Sequence, residues 1–200
     1  MNLPNLLTLS RIPLMLLIIW LLYPEANSIF PWSKSLAFIL FLFAALTDWM
    51  DGWLARKFSQ VSDFGKFMDA LADKVLTLGM FTGLLGLGIL PKWSLFPILL
   101  ILSRELLVTG IRLVAAGKGK TLAAEKIGKL KTVIQLTCLS LSLAKVSVES
   151  DFHTLISSKT FDLLVSTLDI SMISSLLLAT LITVVSGVLY MKKYWRLFTE

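Results

Sequence analysis

The stretch TDWMDGWLARKFSQVSDFGKFMDALADK, residues 47–74, carries four carboxylates whose spacing suits chemistry: Asp48, Asp51, Asp69 and Asp73. Asp48, Asp51, Gly52, Ala55 and Arg56 follow i, i+3, i+4, i+7 and i+8. At about 3.6 residues per helical turn they share one face. Gly65, Asp69 and Asp73 follow i, i+4 and i+8 and share another. Only eight residues, 57–64, separate the two runs, so two antiparallel helices can bring the acidic faces together. Four converging carboxylates repel one another strongly in a low dielectric. Either several are protonated or a cation lies between them. With a single cysteine, Cys138, and a single histidine, His153, a Cys/His zinc site is excluded in practice. Oxygen-only donors favour a hard ion, Mg²⁺ or Mn²⁺. Such an ion suits phosphate or pyrophosphate chemistry, where it neutralises charge as a leaving group departs. Gly52, Ala55 and Gly65 let a bulky ligand approach the backbone, and Arg56 can grip a phosphate through two donors. Solvated acids in a loop beside a membrane are the plainer reading; that fits one acid better than four in helical phase.

The elements that must position these acids are apolar. The chain is 56% hydrophobic and 16% charged, with a mean hydropathy of +0.81. A soluble domain carries about 25% charged residues, so the composition points to an integral membrane protein. Six stretches are long enough to cross a hydrocarbon core of about 30 Å: 6–23, 35–56, 64–90, 93–116, 127–146 and 170–191. The expectation is an all-α, polytopic six-helix bundle, a single domain over 1–200, with Arg11 in the interface at the start of the first span. No basic segment and cleavage site precede the first span, so no signal peptide is expected. Twelve basic residues fall at the two ends and in the segments around 56–66 and 117–131; the opposite loops carry Lys34, Lys92, Lys145 and Lys159. This asymmetry places both termini in the cytoplasm. It also accounts for most of the net charge of +6, and no nucleic-acid partner is expected, because the charges flank helix ends. The 147–169 connection is polar with an apolar run at 161–165, and a surface helix fits there. His153 reads as a solvated loop residue, and Cys138, inside an apolar run, as a packing residue.

The pattern Asp48-x-x-Asp51-Gly52-x-x-Ala55-Arg56, then eight residues, then Gly65-x-x-x-Asp69-x-x-x-Asp73 resembles the signature of the CDP-alcohol phosphotransferases. Every fixed position is filled. The resemblance implies a six-helix membrane enzyme, generally a homodimer, in which a CDP-linked lipid donates a phosphatidyl group to an alcohol and CMP is released. It implies metal ligation by Asp48, Asp51, Asp69 and Asp73, with two ions expected, and Asp73 as general base on the acceptor hydroxyl. Asp48, Gly52, Ala55, Arg56 and Gly65 would hold the CDP-lipid, with Ser62 on its phosphates. Ala70 stands where many relatives have proline, which leaves the helix entry less stiffened.

Three further stretches, NLPNLLTLSRIP at 2–13, SRELLVTGIRL at 103–113 and EKIGKLKT at 125–132, resemble bacterial members of the family that use glycerol 3-phosphate. The implied reaction joins the phosphatidyl group of CDP-diacylglycerol to the 1-hydroxyl of sn-glycerol 3-phosphate, at the cytoplasmic face of a bacterial inner membrane. Charge agrees. Arg104 and Arg112 lie in the fourth span and Lys129 and Lys131 open the fifth. Buried cations need partners, Glu105 can neutralise one arginine, and a phosphorylated acceptor brings about two negative charges. Lys129 and Lys131 also read as plain positive-inside residues. Asn5 and Thr8 have two readings, a helix start or a segment closing over the cytidine diphosphate. Lys74 points about 100° away from Asp73 around the helix, and no role is expected of it. The rival functions are the same chemistry on serine, inositol phosphate or phosphatidylglycerol, a divalent-cation transporter, and a catalytically silent scaffold. A transporter needs acids along a path across the membrane, whereas these gather at one edge.

Overall fold

A computed structural model describes the backbone of residues 3–58, 63–117 and 126–194, and the side chains of residues 10–47, 74–117 and 128–194. The described residues are almost entirely helical, with no strand among them. Six long helices dominate: α1 (Leu3–Leu22), α3 (Ser33–Phe58), α4 (Asp63–Gly86), α5 (Leu95–Gly117), α6 (Lys126–Asp151) and α7 (Ser158–Tyr194). A short α2 (Pro24–Ile29) and a 3₁₀ turn at Lys92–Ser94 fill two connections. Each apolar stretch expected from the sequence maps onto one of the long helices, with 6–23, 64–90 and 93–116 overrunning the ends of α1, α4 and α5. Among the described residues, Gly128–Asp151 and Ser158–Tyr194 are long and apolar enough to cross a membrane, and 10–22, 33–47 and 74–86 are shorter apolar segments.

The helices pack in the order α4, α1, α3, α6, α7, α5, with lighter contacts closing α5 back onto α4 and joining α4 to α6. Phe41, Met80, Phe81, Leu84, Leu139, Leu143, Met172 and Leu176 are fully buried in the centre. Large apolar side chains are exposed on α1, α3, α5, α6 and α7, among them Trp20, Phe43, Phe96, Val133 and Leu181. Apolar surface spread around a bundle is what a lipid solvent accommodates and water does not. The described part of α4, residues 74–86, exposes no large apolar side chain, so this half of the helix is enclosed by its neighbours.

Two glycines let α1 and α4 approach closely. A Cβ at Gly79 would collide with the Met15 thioether, and one at Gly83 would lie 2.8 Å from Ile19 Cδ1. Spaced i, i+4, they form the small-residue contact that membrane helices use where no hydrophobic force distinguishes protein from lipid. Gly88, at φ +73°, ends α4: Ile89 and Leu90 N–H groups turn back to the Leu84 carbonyl at 3.0 and 3.3 Å.

The structure differs from expectation in three places. Most of the 147–169 connection is helix: α6 runs to Asp151 and α7 starts at Ser158. Its polar residues are partners across helices, with Asp151 accepting from the Ser35 N–H at 2.7 Å and Lys145 donating to Asp169 at 2.6 Å. Arg11 is buried inside the bundle, 4% exposed, where the sequence suggested only a residue near the start of a span. The described portions of α3 and α4 each pack on α1, which lies between them.

Candidate active site

The helix-rich backbone supplies the phases that the acids need. α3 is continuous through Asp48, Asp51, Gly52, Ala55 and Arg56, and α4 through Gly65, Asp69 and Asp73. The i, i+3 and i+4 relations therefore hold on both helices. Asn5 and Thr8 lie on α1. The side chains of all these residues, and Ser62 altogether, lie outside the described residues. Four oxygen donors on two helices, with no nitrogen or sulfur in the set, suit a hard divalent ion.

From Lys74, the residue after Asp73, the interior is polar. Thr77 continues the i, i+4 row of Asp69 and Asp73. With Lys74 on the same helix it lines a small cavity of about 10 Å³ shared with Glu105 of α5 and Lys131, Thr132 and Gln135 of α6. Lys74 Nζ donates to Thr109 Oγ1 at 2.6 Å, and Thr109 Oγ1 donates to the Glu105 carbonyl at 2.7 Å. Glu105, 6% exposed, receives Lys131 Nζ directly, and Arg104 Nη1 lies 3.6 Å from the same carboxylate oxygen. Gln135 Nε2 reaches Thr183 Oγ1 on α7 at 3.4 Å. A buried carboxylate here has a clear physical effect. It pairs with the buried Lys131 ammonium and fixes the position of that side chain.

The basic residues expected for an acceptor phosphate divide. Arg104 and Arg112 both lie against α7: the Arg104 side chain passes over Gly187, and Arg112 Nε donates to Tyr190 Oη at 3.3 Å. Lys131 is buried and bound to Glu105, so that carboxylate serves a lysine foremost and an arginine second. Lys129 is exposed on the opening turn of α6. Sequence reasoning set Lys74 aside because it points away from Asp73. The structure shows what lies in that direction, Thr109 and the Glu105 cavity. Gln135, Gly187 and Tyr190 were also missed, since nothing in an apolar run marks which face meets a cation.

Acids in this signature on two helices, with a cationic cluster one turn deeper, define a class. The chain belongs to the CDP-alcohol phosphatidyltransferase family, matching it over residues 1–185. It is similar to the CDP-diacylglycerol–glycerol-3-phosphate 3-phosphatidyltransferase of Bacillus subtilis, 37% identical over 98% of this chain and 96% of that one. Proteins of the same description from Rickettsia typhi and Pectobacterium atrosepticum are 39% and 35% identical, over 70% and 69% of this chain and 75% and 74% of theirs.

Proposed function

We propose that this chain transfers the phosphatidyl group of CDP-diacylglycerol to the 1-hydroxyl of sn-glycerol 3-phosphate, giving phosphatidylglycerophosphate and CMP. The observation that carries this reading is the direct continuation of α4 from Asp69 and Asp73 into Lys74 and a cluster of cations at the same end of the bundle. Near full-length likeness to proteins described by that reaction supports the choice of acceptor. The reading extends to one domain, 1–200, crossing a bacterial plasma membrane six times as a homodimer, with both termini and the site on the cytoplasmic side.

The donor enters sideways from the inner leaflet with its acyl chains between helices. Asp48, Asp51, Asp69 and Asp73 would hold Mg²⁺ or Mn²⁺, two ions in this reading. When bound, the metal supplies charge neutralisation at the pyrophosphate. Gly52, Ala55 and Gly65 leave room for the cytidine diphosphate against the backbone, Arg56 and Ser62 bind its phosphates, and Asn5 and Thr8 close over it. Arg104, Arg112, Lys129 and Lys131 draw in the phosphate of glycerol 3-phosphate and orient it. Asp73 takes the proton from the 1-hydroxyl. The oxygen attacks the β-phosphorus, a new P–O bond forms, and the bond to the CMP oxygen breaks. Orientation and charge neutralisation contribute most of the rate, and direct attack gives sequential kinetics.

The test is CMP release by purified protein in mixed micelles with CDP-diacylglycerol and Mg²⁺. Glycerol 3-phosphate, serine, inositol phosphate and phosphatidylglycerol are supplied in parallel. Release that requires glycerol 3-phosphate is expected. Release with a different acceptor would retain the transfer chemistry and overturn the choice of acceptor.

A further inference from the structure

The two α5 arginines are held from a part of the chain that carries none of the family signature. Thr183, Gly187 and Tyr190 follow i, i+4 and i+7 on α7 and share one face. A Cβ at Gly187 would lie 2.8 Å from Arg104 Cγ. That atom is near the root of the side chain, so an added methyl displaces the whole arginine or separates the helices. Tyr190 is 1% exposed and packs with Val108 and Ile111 of α5. Its ring is therefore fixed, and its hydroxyl is presented to Arg112 Nε at 3.3 Å, with Arg112 Cζ 5.7 Å from the ring centroid. Arg112 itself is exposed, so its remaining donors can meet a ligand.

We infer that Gly187 and Tyr190 are positioning residues that set Arg104 and Arg112 for a phosphorylated acceptor. The inference rests on the acceptor assignment above and adds the residues that govern it. A long arginine on a single helix samples many rotamers. Here α7 removes that freedom for each arginine in a different way, by a close-fitting groove at Gly187 and by a hydroxyl acceptor at Tyr190. Preorganised cations bind a small dianion at lower entropic cost than free ones. Neither residue touches the donor in this reading, so its binding is not expected to change.

The experiment is steady-state CMP release by wild type, Gly187→Ala and Tyr190→Phe, varying each substrate separately. Thermal unfolding is measured on the same preparations. The KM for glycerol 3-phosphate should rise about 3- to 10-fold in each variant, the scale of one hydrogen bond. The donor KM and the kcat at saturating acceptor should stay within about two-fold. Alanine is the better helix former, so Gly187→Ala should not lower the melting temperature through local propensity. Each variant is then combined with Ala at its own arginine. If α7 acts through the arginines, Gly187→Ala adds little to Arg104→Ala, and Tyr190→Phe adds little to Arg112→Ala. An unchanged acceptor KM overturns the inference. So does a fall in kcat, donor affinity and melting temperature together, which is the mark of a merely structural role. Loss of glycerol 3-phosphate dependence in the wild-type arm would instead remove the acceptor assignment, and the inference with it.

Discussion

Two lysines buried at opposite ends of the bundle have contrasting surroundings. Lys34, 5% exposed, opens α3 and donates to the carbonyls of Leu21 and Tyr23 at 3.0 and 2.6 Å. The Leu21 carbonyl belongs to the last turn of α1, where helical N–H partners run out, and Tyr23, the N-cap of α2, also accepts the Ala26 N–H at 3.1 Å. A cation there also meets the negative end of the helix dipole. The polar groups around it are matched in the same way: Ser33 donates to Asn27, Asn27 to Ser150, and Ser35 to Asp151. Lys131, 6% exposed, lies at the other end against Glu105. Among the described residues Lys74 and Arg104 gather around the same carboxylate or its cavity, one turn from Asp73. The Lys34 end is a helix cap that needs nothing from outside. The Lys131 end gathers cations from three helices around one carboxylate and its cavity, at the end of the bundle where α4 leads on from Asp73.

Substitutions at the two ends should separate accordingly. The largest effect is expected from Asp73→Asn, with kcat for CMP release falling about 10²- to 10⁴-fold while the protein stays folded, the usual scale for losing a general base. Full activity in that variant would remove Asp73 from the chemistry. Glu105→Gln comes next. Withdrawing the charge opposite buried Lys131 should cost about 3 kcal/mol of stability, read as a lower melting temperature in detergent. An unchanged melting temperature would mean that Lys131 finds other compensation and the pair is dispensable. Lys34→Met should cost about 2 kcal/mol through two lost charge-assisted hydrogen bonds. Both KM values and kcat should remain those of wild type. If acceptor KM rose in this variant, the division between a structural end and a functional end would fail. Asp151→Asn, which weakens the acceptor for Ser35, should cost about 1 kcal/mol and likewise leave the kinetics alone. The smallest effect is expected from Lys129→Ala. The residue is exposed on α6, so acceptor KM should change about two-fold and the change should shrink as salt is raised.

The readable and unreadable parts divide along the same physical lines. The six long helices were legible because each coincides with a long apolar stretch, and length and composition are properties of a segment by itself. The helical phase of the acids was legible because i, i+4 spacing is a property of one helix, and ionised groups are rare enough in an apolar chain to stand out. The helical course of 147–169 was legible only in part, as a helix around the apolar run at 161–165. Its serines and acids look like loop residues until Ser35 and Lys145 appear as partners from other helices. The burial of Arg11 was hidden for the same reason, since only the packed bundle shows what encloses an arginine near a helix start.

The sequence by itself determined the class of chemistry, the helical content and the helical phase of the four aspartates, all of which follow from motif, periodicity and composition along one chain. Only the tertiary structure decided which cation meets which partner. Lys131 meets Glu105 across 26 positions, Arg112 meets Tyr190 across 78, and Gln135 meets Thr183 across 48. Contacts of that range depend on the order in which helices pack around the ring. That order is set by the summed fit of apolar and small-residue faces, such as Gly79 and Gly83 against α1, and no local pattern encodes it.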